Sequence, residues 1–201
     1  MANLVITIGR ENGSGGRQLG SELAAVLGVK CYDSELINET AKASGFAKSF
    51  VETHEEQRPG SFLYSLVTGG GVVADEQPFP VQIFQAQSEV IRTIAARESC
   101  VIVGRCADYI LAGRDNTINV FVYAPRETRV NRIMARRNLS EAEALKAITT
   151  SDKERGNHYF RYTDQKWGKA QNYDICINSA LMGIEKTAEM LTAMAKIEVR
   201  A

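Results

Sequence analysis

Two histidines, one tryptophan and four prolines are all that 201 residues contain, and 24 Lys and Arg cancel 24 Asp and Glu. A formal net charge of zero gives no overall pull toward nucleic acid or an anionic membrane. His54 and His158 stand too far apart for metal-ligand spacing, so surface roles are expected for both and no metal site is assigned. The four cysteines, Cys31, Cys100, Cys106 and Cys176, never form C-x-x-C. Three lie in or at the end of apolar β-like runs, which predicts buried free thiols in a reducing compartment, the cytoplasm. No apolar run approaches the roughly 20 residues of a membrane span. The first one begins at Leu4 and meets Gly9 and Arg10 at once, so it does not read as a signal peptide. Hydrophobic residues at 44% exclude disorder, and the length fits a single domain over 1–201.

What is present is an alternation of short apolar runs and helical patterns. Leu4 to Ile8, Val29 to Tyr32, Cys100 to Val103, Ile118 to Val122 and Tyr173 to Ile177 read as strands buried on both faces. Leu19, Leu23, Val26 and Leu27 recur at helical spacing before Gly28, a natural stop. Helices are also predicted over Ser34 to about Ser44, Val81 to Arg97, Pro125 to Arg137 with Pro125 in the first turn, and Ile184 to Ile197. Ser140 with Glu143 makes a capping box for one running toward Asn157. Five buried strands alternating with helices imply a three-layer α/β/α fold around a parallel sheet, its strand C-termini on one edge. Gly9, Asp33, Gly104-Arg105 and Ala124-Pro125 all fall on that edge, where ligands bind. Between about 45 and 80, three prolines and Gly69-Gly70-Gly71 predict a mobile insertion closing over a substrate.

The sharpest signal is Gly13-Ser14-Gly15-Gly16, between strand one and helix one. Such a turn gathers backbone N–H groups at a helix N-terminus and cradles phosphate. Arg10, Asn12 and Arg17 complete the candidate phosphate- and nucleotide-binding set. Against G-x-x-x-x-G-K-[ST], Arg10 stands at the first glycine, Gly16 at the lysine and Arg17 at the magnesium-binding hydroxyl. Either Arg17 or Arg10 then supplies the cation, or the site has lost the chemistry. A dinucleotide loop is the rival reading, with Gly13, Gly15 and Asp33 in place but Gln18 where its third glycine belongs.

Ile6 to Arg10 followed by Gly13-Ser-Gly-Gly-Arg17 resembles the opening of the cytidylate kinase-like proteins, a branch of the P-loop nucleoside monophosphate kinases. Tyr32-Asp33-Ser-Glu-Leu-Ile37, Val103-Gly104-Arg105, Arg129 with Arg132, Asp152 to Arg155, and Tyr173-Asp174 with Asn178 are similar to the same family, over roughly 3 to 195. The resemblance implies a P-loop NTPase-type fold with a five-stranded parallel sheet, an NMP-binding insertion and an arginine-bearing lid, placed here at about 137–162. It implies ATP or GTP as phosphoryl donor, magnesium with no ligand assigned, and a nucleoside monophosphate such as CMP as acceptor. Arg17, Arg132 and Arg155 become candidate catalytic cations, and Asp33, Arg105 and Asp152 candidate acceptor ligands.

Arg126, Arg129, Arg132, Arg136 and Arg137 crowd into twelve residues, with Arg129, Arg132 and Arg136 on one helical face. Arginine forks suit phosphoryl transfer, which asks mainly for positioning and charge; a solvated basic face is the alternative. Arg155 and Arg161 flank 157–162, a candidate lid tip or a packing segment, and Trp167 could stack on a base or simply pack. Partners are expected to be small nucleotides, with neither nucleic acid nor membrane. Two other functions stay open: a nucleotide- or phosphometabolite-binding regulator without catalysis, and a kinase of a non-nucleotide small molecule.

Overall fold

The computed structural model describes residues 3–33 and 79–198, together with Leu36 and Glu39. Most of the predicted insertion at 45–80, the helix predicted from Ser34 and His54 therefore lie outside the described residues. The chain divides into two units, one of Met1–Asp33 with Ile91–Ala201 and one of Ser34–Val90. In the smaller unit the described helical stretch begins at Phe79, and Ser88 Oγ donates to its Phe84 carbonyl at 2.8 Å. The sheet and the glycine loop belong to the larger unit.

Five strands, β1 (Val5–Arg10), β2 (Lys30–Tyr32), β3 (Cys100–Val103), β4 (Thr117–Tyr123) and β5 (Ile175–Asn178), form one parallel sheet in the order β2-β3-β1-β4-β5. All five follow the apolar runs of the sequence. Ile6 sits in register with Val101 on one side and Ile118 on the other. The order reverses at β1, so the crevice beyond its C-terminal end is the topological switch point.

Alternation along β1 sends Ile6 and Ile8 to one face and Val5 and Thr7 to the other, all of them buried. The first face packs on Leu19 and Leu23 of α1 (Gly16–Leu27) and on Leu191 of the C-terminal helix (Gly183–Glu198). Across β1 and β4, the Thr7 hydroxyl donates to Asn119 Oδ1 at 2.7 Å. At the opposite edge from the crevice, the Arg114 guanidinium donates to the carbonyls of Asn3 and Ala95 at 2.8 and 2.9 Å.

The helices begin and end where local chemistry dictates. Gly28, at φ +69°, stops α1, and the Val29 amide returns to the Ala24 carbonyl at 2.9 Å. α2 (Phe79–Arg97) starts two residues earlier than expected, and α3 (Ala107–Ile110) is a single turn that the sequence pattern did not announce. Pro125 caps α4 (Arg126–Arg137) from an extended conformation, ψ 143°, instead of lying in its first turn. The Ser140–Glu143 capping box opens α5 (Glu141–Thr163), which runs six residues past Asn157 because Asp164, at φ +55°, is what ends it. The C-terminal helix is α6.

The cysteines correct one expectation. All four are free and Cys100 and Cys106 are buried, but Cys31 is only half-buried and Cys176 is exposed on β5, a strand at the end of the sheet order.

Gly20 lies at the tightest point between α1 and the sheet, where an added Cβ would stand 2.7 Å from Val103 Cγ2. A glycine-to-alanine change in a helix ordinarily gains up to about 1 kcal/mol. Overpacking a stiff β-branched neighbour costs about 1–3 kcal/mol and should win. Gly20→Ala is thus expected to lower the urea midpoint with an unchanged slope; a raised midpoint would show that this contact is slack.

Candidate functional site

β1 delivers Gly9 and Arg10 to the crevice, and the chain turns through Glu11–Gly15 before α1 begins. Gly13 and Gly15 adopt φ of +81° and +83°, the left-handed region that glycine enters freely. Two helices close on the turn. A Cβ on Gly13 would stand 2.8 Å from the Arg129 carbonyl oxygen, and one on Gly15 2.6 Å from Ile184 Cδ1. Gly15 is the N-cap of α1 and offers it no side-chain acceptor, and the first turn carries no acid. The backbone N–H groups of Gly13, Gly15, Arg17 and Gln18 donate to nothing among the described residues. Four such donors at a helix N-terminus suit an oxyanion.

The turn is held from behind by arginines. Arg129, 8% exposed, donates from Nε to the Asn12 carbonyl at 2.9 Å, pairs with Glu11 at 2.8 Å and meets Asp152 with its remaining nitrogen. Asp152 spends its other oxygen on the Asn12 amide at 2.7 Å, while Asn12 Nδ2 donates to the Ala147 carbonyl at 3.3 Å. Arg132 donates to the Ser14 carbonyl at 2.7 Å and to Ser179 Oγ at 3.0 Å; burial lowers its pKa from the ordinary guanidinium value. Ser179 Oγ itself donates to the same Ser14 carbonyl. Arg155 reaches the Arg10 carbonyl at 2.9 Å. Inside the turn, Ser14 Oγ donates to the Glu11 carbonyl at 2.8 Å and accepts from the Gly16 amide at 3.3 Å.

On the open side stand Arg10, Arg17 and Asp33. Arg17 Nε lies 2.6 Å from Asp33 Oδ2, and Arg10 Nη2 lies 3.8 Å from Asp33 Oδ1. To get there from β1, the Arg10 side chain passes over Gly104, which closes the strand lying between β1 and β2, and any side chain at 104 would collide with its guanidinium. Gly16 is constrained by the same arginine: a Cβ there would come 2.5 Å from Arg10 Cβ. A side chain at 16 would require the stem of Arg10 to shift.

Beyond β3, Gly104, Arg105 and Cys106 take φ of +82°, +59° and +55° in succession. For the two non-glycine residues this costs about 1–2 kcal/mol each. The turn is anchored just downstream, where Asp108 of α3 accepts a 2.6 Å hydrogen bond from Tyr159 of α5. Burial pushes the Asp108 carboxyl up from its ordinary value, and burial beside that acid pushes the Tyr159 phenol up as well.

The structure thus brings Arg10, Asn12, Gly13, Ser14, Gly15, Gly16, Arg17 and Asp33 to one edge, with Arg105 on the neighbouring turn. Arg132, Asp152 and Arg155 converge there too, but through the backbone of the loop. The predicted lid at 137–162 is α5 with the turn before it, and Asp152, Arg155 and the Ala147 carbonyl are its contacts with the loop. In 157–162 Tyr159 is buried and Phe160 exposed, and half-buried Trp167 stacks edge-on against Phe121 at 5.4 Å. The sequence carries no sign of Glu11 or Ser179, and it leaves Arg129 open between a phosphate-binding fork and a solvated basic face. The i, i+3 spacing of Arg129 and Arg132 was the available signal. Among the described residues no three His, Cys, Asp or Glu converge on a metal site, and no helix is long and apolar enough to cross a membrane.

A family model described as the cytidylate kinase-like family matches residues 5–181. A cytidylate kinase of Methanosarcina mazei is 27% identical over 187 residues, which cover 92% of this chain and 93% of that protein. Among solved structures, an uncharacterized protein from Eubacterium ventriosum is 29% identical with a TM-score of 0.72, covering 96% of this chain and 99% of that one. Shikimate kinase from Acinetobacter baumannii shares the fold at 16% identity and a TM-score of 0.54, covering 96% and 93% of the two chains.

Gly15→Val tests the cradle. The substitution puts a β-branched residue at φ +83° against Ile184. Strain of about 1–2 kcal/mol should lower Tm by roughly 2–8 °C in a domain of this size. Titration calorimetry should find ATP binding lost while the fold survives; wild-type affinity in the variant would remove the phosphate role from this loop.

Proposed function

Since the chain belongs to the cytidylate kinase-like family, we propose that it transfers the γ-phosphoryl group of ATP or GTP to a nucleoside monophosphate such as CMP. The observation carrying this reading is the set of unengaged amides at Gly13, Gly15, Arg17 and Gln18, flanked by Arg10 and Arg17 at the switch point of the sheet. A γ-phosphoryl group in transit needs its equatorial charge met and its acceptor aligned, and little covalent help from the protein. Loop amides hold the donor phosphates. Arg10 and Arg17 meet the developing charge, in place of the lysine that Gly16 lacks. Arg105, presented by its left-handed turn, receives the acceptor phosphate.

Arg132, Arg155 and Asp152 serve the same reaction at one remove. Their contacts are the Ser14 carbonyl, the Arg10 carbonyl and the Asn12 amide, so we assign them to holding the loop in its binding shape. Preorganised donors lose no time or energy reorganising as charge develops. Magnesium supplies charge neutralisation across the donor phosphates when bound. Among the described residues no three carboxylates, histidines or cysteines gather to hold it, and Arg17 stands where a magnesium-binding hydroxyl would be expected.

One observation favours a binder without turnover: the missing lysine at 16. The stem of Arg10 fills that space, which favours replacement of the lysine over its loss. A coupled assay of ADP release, run with ATP across CMP, UMP, AMP and GMP, decides between them. Turnover with at least one monophosphate is expected, and Arg10→Ala should cut kcat by about 10²-fold, the scale for losing one transition-state donor. No turnover with any of these monophosphates, alongside intact ATP binding, would overturn the monophosphate-kinase reading and leave a nucleotide-binding regulator or a kinase of a non-nucleotide acceptor.

A further inference from the structure

We propose that Asp33 is a resident stand-in for donor phosphate: its carboxylate holds Arg17 and Arg10 in the free protein and is exchanged for the incoming anion. This deepens the kinase reading and rests on it for the identity of the anion. It also changes the role of Asp33, which sequence resemblance assigned to the acceptor.

The geometry leads there in three steps. First, one carboxylate is shared between two guanidinium groups that approach from different elements, Arg10 at the end of β1 and Arg17 in the first turn of α1. Each of its oxygens faces one cation, much as two oxygens of a phosphate would. Second, the pair is lopsided in exposure. The Arg17 side chain is 64% exposed and that of Asp33 only 17%, so the arginine can swing out while the acid stays in place. An ion pair with one exposed partner contributes little net stability, because water screens it and holding a long side chain costs entropy; a polyanion can displace it. Third, Arg17 stands beside the unengaged loop amides, and like charge from Arg137 and Arg17 adds to burial in lowering the Arg136 pKa. An anion at the loop would relieve that repulsion and draw Arg17 from Asp33. The acid then faces the acceptor side, one strand from Arg105.

The positioning role has a signature that an acceptor ligand lacks. Asp33→Asn removes the competitor for Arg17, so inorganic pyrophosphate should bind about two- to fivefold more tightly by titration calorimetry, the scale of one exposed ion pair. In the Arg17→Ala background the same change should give a clearly smaller gain, the remainder passing through the longer Arg10 contact. Asp33→Glu, which keeps the charge, should bind pyrophosphate like the wild type, and thermal melts confirm that each variant folds. With ATP and CMP, Asp33→Asn should lower kcat while tightening the donor. Unchanged or weaker pyrophosphate binding in Asp33→Asn overturns the proposal, as does an equal tightening without Arg17. These binding readouts do not require turnover. If no monophosphate is phosphorylated yet the Arg17-dependent tightening holds, the kinase reading falls and this one stands; if the wild type binds no pyrophosphate, both fall.

Discussion

Arg129 carries its charge into a place where 8% of the residue reaches solvent. A buried guanidinium is tolerated only when its donors are matched, because an uncompensated charge there costs several kcal/mol. Glu11, Asp152 and the Asn12 carbonyl provide that match. The satisfaction runs both ways: by meeting its own requirement, the arginine fixes two successive residues of the loop, Glu11 and Asn12, and ties them to Asp152 of α5, so that α4 and α5 become its walls. Asp152 repeats the device, answering both Arg129 and the Asn12 amide. The loop therefore arrives already shaped, with the groups facing the crevice left over for a ligand. Stability and binding geometry come from the same bonds.

A second constraint is spatial. Arg10 runs from the centre of the sheet across the end of β3, and two glycines mark its track. Gly16 leaves room for its stem and Gly104 for its head. Taken alone, the segment lacks a P-loop lysine; on the proposed function, Arg10 at the end of β1 joins Arg17 in the first turn of α1 in carrying that charge. Side-chain reach hides such an arrangement from a linear motif.

The fold was legible because it is written in periodicity. Ile6 and Ile8, Val101 and Val103, Ile118 to Val122 are short β-branched runs that can be buried on both faces and little else. The Ser140–Glu143 box and Gly28 punctuate helices by chemistry confined to a few residues. The glycine turn was equally legible, since glycine there answers a backbone demand visible within eight positions. The bracing was not. Arg129, Asp152 and Ser179 lie up to 165 residues from their loop partners, and a guanidinium bound to a carbonyl leaves no trace in spacing. From sequence a buried arginine and a solvated one look alike. α3 escaped for another reason: a single turn after two left-handed residues has no period to detect.

The run of left-handed backbone at Gly104, Arg105 and Cys106 sets the fold and the site against each other. Arg105 and Cys106 each hold a conformation that glycine would adopt without penalty, so glycine at 105 would relieve about 1–2 kcal/mol of strain. On the proposed function, the same change would remove the guanidinium that meets the acceptor phosphate. Selection for heat resistance alone would then be drawn toward this turn and away from that activity. Sequence drift in lineages that no longer need the activity should leave its first marks here, with glycine spreading from 104 into 105 while Arg129 and Asp152, which the fold still needs, stay put.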